Sequence, residues 1–183
     1  MAEQRKAPVP NGERAPINSV PNEYISLYLL RKAIPLASLR AATSARIQMR
    51  GEVLFRELLD AAGDHRGWER IWPDGTKKTA YGSTVRATFT PFGFRTGPDV
   101  LRLRGTLIVC AGLADGFRIN EATGWPVACG VGEPGLKALA DCLFTCAPHV
   151  ELLVAADADE AGIRAAKATG RRWIVPGEVS HAA

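Results

Sequence analysis

Four apolar runs of strand length, TLIVCAG (106–112), PVACGVG (126–132), ELLVAADAD (151–159) and RWIVP (172–176), alternate with amphipathic stretches of helical length. This alternation constrains the fold more than any other feature of the chain. A strand that is apolar at consecutive positions is buried on both faces, and a parallel sheet covered by helices on each side meets that demand. The helices come from LADGFRINEATG, stopped by Gly124, from PGLKALADCLFTCA, and from EAGIRAAKATG, stopped by Gly170. Residues 105–183 are therefore expected to form an α/β domain, with a four-stranded, parallel-type, Rossmann-like sheet and helices on both faces.

The upstream half reads differently. Residues 1–22 are polar and contain Pro8, Pro10, Pro16 and Pro21, which suits a flexible arm. Residues 23–104 are expected to form a small α+β subdomain. EYISLYLLRKAI (23–34) has helical spacing and is ended by Pro35, while ARIQMRGEVLFRELL (45–59) fits a strand pattern or a helix pattern equally. GWERIWPDGTKKTAYG (67–82) predicts a β-hairpin turning at Asp74-Gly75, with Lys77 and Lys78 on the return arm. A further short strand is expected in TVRATFT (84–90), before the turns of PFGFRTGPD.

The third apolar run ends in Asp157 and Asp159, with Glu160 and Gly162 close behind. Ligand sites in parallel α/β sheets lie beyond the carboxyl ends of the strands. Residues two apart in an extended segment point the same way, so both carboxylates can face one point. Carboxylates that close repel unless a cation lies between them, and oxygen ligands suit Mg²⁺. A plainer role for Asp159 is to cap the helix that follows. That leaves Asp157 unexplained, and a metal-facing role is assigned to it.

The net charge of +4 conceals an asymmetry: residues 1–106 hold 17 basic and 10 acidic side chains, whereas 107–183 hold 6 and 9. A basic half beside an acidic half suits a protein that holds a polyanion with one part and a metal cation with the other. Candidate phosphate contacts are Lys77 and Lys78 on the hairpin, Arg86, Arg102 and Arg104 ahead of the first parallel strand, and Arg118 on the first helix of the α/β half. Trp68 and Trp72 are candidates for stacking on unpaired bases. The alternatives are lysines that keep a hairpin soluble and tryptophans that fill a core. Cys110, Cys129, Cys142 and Cys146 lie in apolar segments and read as small buried hydrophobes of a reducing compartment. Cys142, Cys146 and His149 offer half a zinc site, with no second ligand pair near in sequence. No apolar run approaches the roughly 20 residues that cross a bilayer, so no membrane contact and a cytoplasmic location are expected.

Gly112 at the tail of the first parallel strand, the helix end EATGWPV and the later D-A-D-E-A-G together resemble the Toprim domain shared by topoisomerases and bacterial primases. The style is most similar to the Toprim-like domain of primases carried by phages and plasmids. YLLRKAIPLASLR and RIWPDGTKK are similar to the segment that precedes Toprim in those proteins, so the resemblance spans about residues 24–176. It implies binding of DNA or RNA, contact with other replication proteins, and a Mg²⁺ or Mn²⁺ ion for nucleotidyl transfer. The family pattern places a glutamate before the glycine; here that position is Ala111. An aspartate four residues after that glutamate is matched by Asp115. The resemblance then implies a residual acidic cluster of Asp115, Asp157 and Asp159 as catalytic and metal-binding groups, with Glu133 as an outer metal candidate and Gly112 and Gly162 as structural members of the motif. A methyl group at 111 can neither hold a metal nor move a proton. Either a slow metal-dependent activity survives, or the fold is retained as a silent module that binds a partner in an accessory or inhibitory role. The chain has neither the Cys/His pairs of a primase zinc module nor a G-x-x-x-x-G-K-[ST] loop, and is expected to be an excised piece of a replication protein. A small-molecule enzyme is disfavoured, because A-G-L-A-D-G only partly matches a phosphate-cradling loop.

Overall fold

The stretch 45–59, whose pattern admits strand or helix, is resolved by Gly51, which takes φ 59° and reverses the chain. In the computed structural model, which describes residues 26–34, 46–94 and 97–177, β1 (Ile47–Arg50) and β2 (Val53–Leu59) pair antiparallel around that turn. The expected arm and Pro35 lie outside the described residues. The hairpin follows as β3 (His65–Ile71) and β4 (Lys77–Thr79). Its turn is held by Asp74, whose carboxylate accepts from the Thr76 amide at 2.8 Å and hydroxyl at 2.9 Å. The four strands form one sheet in the order β1-β2-β3-β4. Leu54, Arg56 and Leu58 are buried on one side; on the other, Val53 and Phe55 are half-buried, and Glu57 and Leu59 are buried toward the strand's end. Ahead of this sheet, α1 (Leu27–Arg31) begins at Ser26, whose hydroxyl accepts from the Leu29 amide, and buries Tyr28 and Leu29.

TVRATFT does not form the expected strand. Ala87 adopts φ 56° and breaks the extension, so residues 84–88 form turns and only Thr90 enters β5 (Thr90–Phe92). A short helix, α2 (Gly97–Val100), leads into the α/β half. There the order is β6 (Thr106–Cys110), α3 (Leu113–Thr123), β7 (Val127–Cys129), α4 (Gly132–Cys146), β8 (Glu151–Ala155), α5 (Glu160–Ala168) and β9 (Arg172–Ile174).

The second sheet has five strands rather than four, in the order β5-β7-β6-β8-β9. The four expected strands are parallel; β5, drawn from upstream of residue 105, adds antiparallel to β7. Pro91 sits within β5, and the missing N–H is tolerated because β5 is an edge. The other edge corrects an expectation as well: β9 is exposed along its length, so it is not buried on both faces. Helix α3 packs on one face with Ile108, Cys110 and Val127, in a cluster that also takes in Tyr28, Leu54 and Ile71. Helices α4 and α5 pack on the other face against Leu107, Val109 and Val154. No described helix is long and apolar enough to cross a membrane.

A guanidinium joins the two sheets. Arg56, 1% exposed, donates through Nε to Glu69 at 2.6 Å, through Nη1 to Cys129 Sγ at 3.1 Å and through Nη2 to the Gly130 carbonyl at 2.8 Å. Beside it, Leu59 and Phe89 exchange backbone hydrogen bonds of 2.9 and 2.8 Å, and the Thr90 hydroxyl donates to the Glu57 carbonyl at 2.7 Å. Burial opposes a thiolate at Cys129, but the Cys110 thiol and the Arg56 guanidinium outweigh it and hold Cys129 below the ordinary thiol range. Cys110 is pushed up by its bond to Cys129 and by burial. Removing one member of a buried ion pair leaves an uncompensated charge, so Arg56→Ala is expected to cost about 3–5 kcal/mol in urea denaturation. The Arg56→Met/Glu69→Leu double variant is expected to recover most of that loss.

Candidate functional site

The carboxyl ends of β6 and β8 carry the expected residues. β6 stops at Cys110, Ala111 is 6% exposed, and Gly112 starts α3. Asp115 lies in the first turn of that helix, where the positive end of the helix dipole favours a carboxylate. At Gly112 a Cβ would lie 2.3 Å from Asp115 Oδ2, so a side chain there would displace that carboxylate. At the end of β8, Asp159 caps α5 and accepts from the Gly162 amide at 2.7 Å. Gly162 has a second reason to lack a side chain: a Cβ would meet the Cβ and carbonyl oxygen of Asp157 at 2.7 Å. The D-x-D-x-x-G pattern is thus partly architectural, because the helix can close over the Asp157 loop only at glycine.

Asp157 is half-buried, and its pKa is raised. Burial is the largest cause, followed by Asp115, Glu133 and Asp159; Lys77 acts in the opposite sense. The structure therefore gathers the four predicted acids within electrostatic reach of one carboxylate. It does not make a ligand set of them. Asp115 Oδ1 accepts from Arg118 at 3.2 Å, Asp159 is engaged by a helix amide, and Ala111 offers a methyl group. Among the described residues, no group of three or more His, Cys, Asp or Glu side chains could hold a metal ion, the Cys142/Cys146/His149 candidate included. Mg²⁺ demands a near-octahedral oxygen shell, and the donors present do not fit it or Mn²⁺.

Facing these strand ends is a cleft of about 370 Å³, walled by the end of α1, the β3–β4 turn and the start of α3. Arg31 donates to the Pro73 carbonyl at 2.9 Å, tying α1 to the turn, and Arg118 donates to the Lys32 carbonyl at 2.5 Å, tying α3 to α1. Tyr28, buried at the base, has its phenol pushed up to about 12, first by desolvation. Arg31, Lys32, Lys77 and Arg118 supply the cleft's positive charge, and Asp74, Asp115 and Asp157 its negative charge.

The predicted basic residues separate. Lys77 and Arg118 line the cleft. Lys78, one residue on, points to the other face of its sheet, opposite Arg70, with its ammonium 6.0 Å from the Trp72 ring. Arg86 is exposed in a turn outside the cleft lining. Arg102 and Arg104 are exposed ahead of the first residue of β6, at the end of the sheet away from the cleft. Trp68 and Trp72 are half-buried. Tyr28, Arg31 and Lys32 were missed in the sequence as cleft residues; a basic pair closing a short helix was the available signal.

No protein-family model matches the chain, and no curated protein does. Solved structures do. The primase fragment of the bacteriophage T7 primase-helicase protein matches with a TM-score of 0.57 at 16% identity, over 81% of this chain and 61% of that one. The DnaG primase catalytic domain bound to ssDNA matches with a TM-score of 0.55 at 11% identity, over 83% and 63%. The primase domains of two T7 gp4 subunits bound to an RNA/DNA hybrid and dTTP match with a TM-score of 0.55 at 17% identity, over 75% and 70%. The chain has the fold of these primase catalytic cores, and it spans about three fifths of the length of the T7 fragment.

Two stability measurements test this geometry. A raised Asp157 pKa means the folded protein holds that proton more tightly than the unfolded chain, so stability falls as pH rises from 3.8 through the folded value. Asp157→Asn should melt above the parent protein at neutral pH, with the gap closing below pH 3.8; a lower melting temperature at neutral pH would contradict this account. Gly162→Ala should lose about 1–3 kcal/mol in urea denaturation through overpacking.

Proposed function

We propose that this chain is a Toprim-type module of a phage or plasmid primase or replication system, holding DNA or RNA in the cleft and carrying a degraded catalytic centre. The observation that carries this reading is the charge of the cleft. Arg31, Lys32, Lys77 and Arg118 face three carboxylates, of which Asp115 is already paired with Arg118 and Asp74 with its own turn. A cleft so balanced attracts phosphate without a divalent ion between protein and ligand. Arg31 is held by its bond to the Pro73 carbonyl, the backbone at Lys32 is held by Arg118, and Lys77 projects from the paired strand β4. Each stands where it can meet a phosphate oxygen.

Chemistry is a different matter. Nucleotidyl transfer of the primase kind needs a metal held between several carboxylates, and Ala111 removes the one at the strand end. The remaining residues bind and orient; no residue of the cleft is left to activate a hydroxyl through a metal. The proposed role is accessory, cytoplasmic and exercised on nucleic acid, alone or with other replication proteins.

The test is fluorescence anisotropy of a labelled single strand across a salt series. The three cleft cations outside ion pairs contribute about −2 to the log–log slope, unchanged by EDTA, and Lys77→Ala should remove about 0.7 of it. A flat salt response, or Mg²⁺-dependent primer synthesis lost in Asp157→Ala, would overturn the reading.

A further inference from the structure

Lys77 and Lys78 are neighbours in sequence but stand on opposite faces of β4, and β4 is the edge of the first sheet. One looks into the cleft; the other belongs to the sheet's outer face. On that face the register aligns Gln48, Phe55, Arg70 and Lys78 as one row across all four strands. Trp72 lies beside the row, its ring 5.4 Å from the Arg70 guanidinium and 6.0 Å from the Lys78 ammonium. Arg50 lies 4.9 Å over Phe55. Trp68 is two residues before Arg70, opposite Glu57. The core face beneath is fully buried at Leu54, Arg56 and Ile71, whereas Phe55, Trp68, Arg70 and Trp72 are half-buried and Arg50 and Lys78 exposed.

The charges of this face are unanswered. Arg50, Arg70 and Lys78 make no ion pair among the described residues, and the Arg70 Nε has no hydrogen-bond acceptor. The acid on the face, Glu57, is already engaged by Arg46 at 3.0 Å and by His65 at 2.7 Å. Aromatic rings interleaved with unpaired cations fit a ligand that carries flat apolar groups and a repeating negative charge. A duplex keeps the flat faces of its bases stacked inside and offers a protein its backbone and base edges, and the core of a protein interface is depleted of lysine.

We infer that the outer face of the first sheet is a second contact surface for a single nucleic-acid strand, which passes from the cleft over the edge of β4. Bases stack on Trp72 and Phe55 and on the guanidinium planes over them, and Arg50, Arg70 and Lys78 take the phosphates. A four-stranded sheet accommodates two or three stacked bases, so the surface extends the cleft site by a short segment. This inference rests on the proposed binding of nucleic acid in the cleft, and the experiment separates the two.

The experiment measures anisotropy of a fluorescein-labelled oligo-dT of about 12 nucleotides, a length within the range of single-strand sites. It compares the full chain with Arg70→Ala/Lys78→Ala, Trp72→Ala, Trp72→Phe and the cleft variant Lys77→Ala, each checked by thermal melting. The expected result is a loss of about tenfold for Trp72→Ala, retention within about threefold for Trp72→Phe, and a salt slope lowered by about 1.4 in the Arg70/Lys78 variant. If Trp72→Ala fails to fold, the contrast between Trp72→Phe and the exposed double variant still decides. Binding by the parent that Lys77→Ala weakens and the outer-face variants leave within twofold overturns this inference alone, and leaves the face to a protein partner. No binding by the parent overturns the cleft reading with it. Tighter binding of a duplex than of the single strand rules out stacking.

Discussion

The Arg56 guanidinium is the contact on which the relation between the two sheets depends. A charge with 1% exposure is tolerated only when it is paired and hydrogen-bonded, and its three acceptors come from both sheets: Glu69 on β3, and Cys129 on β7 with the Gly130 carbonyl just beyond. Apolar side chains could pack the sheets together at several offsets. A planar fork with fixed donor directions accepts one, so the ion pair contributes specificity of register more than stability. The Leu59–Phe89 exchange and the Thr90 to Glu57 bond act in the same place. Together they set how far the hairpin turn stands from the strand ends, and so the width of the cleft.

The acidic motif divides its labour in a way that its sequence spacing hides. Asp159 and Gly162 hold the helix start: one caps it, and the other lets it close on the loop. Asp157 is the residue released to face the cleft, with its proton affinity raised by burial and by the three acids around it. On the first strand the same division holds, with Gly112 making room for the Asp115 carboxylate. Both glycines sit at negative φ, so steric closeness, and not a left-handed backbone, explains them.

Much of the α/β half was legible because buried parallel strands write themselves as continuous apolar runs. β6, β7 and β8 follow that rule; β9 shares the composition but lies at an open edge, which composition cannot register. β5 was illegible for a complementary reason: three residues, one of them proline, carry no period. Arg56 reads as a polar interruption in VLFRELL, and its partners lie 13 and 73 residues away. The acids were found as a set since three of them follow strands or start helices. Arg31 and Lys32 were missed since their place depends on contacts 42 and 86 residues distant. The two hairpin lysines were taken as one feature, although strand geometry alone required them to part.

Ala111 stands where the resemblance to Toprim domains would place a glutamate, and the consequence runs through its neighbours. A glutamate there would add a fifth carboxylate to a group in which Asp157 already resists ionisation, and a divalent cation would be the natural counterweight. With a methyl group in that place, the repulsion falls to a level that Arg118 and Lys77 can offset from within the protein. Arg118 takes up Asp115 Oδ1 directly, and Lys77 acts on Asp157 through space. The Arg118–Asp115 pair and the Lys77 ammonium thus answer part of this acidic charge from within the protein.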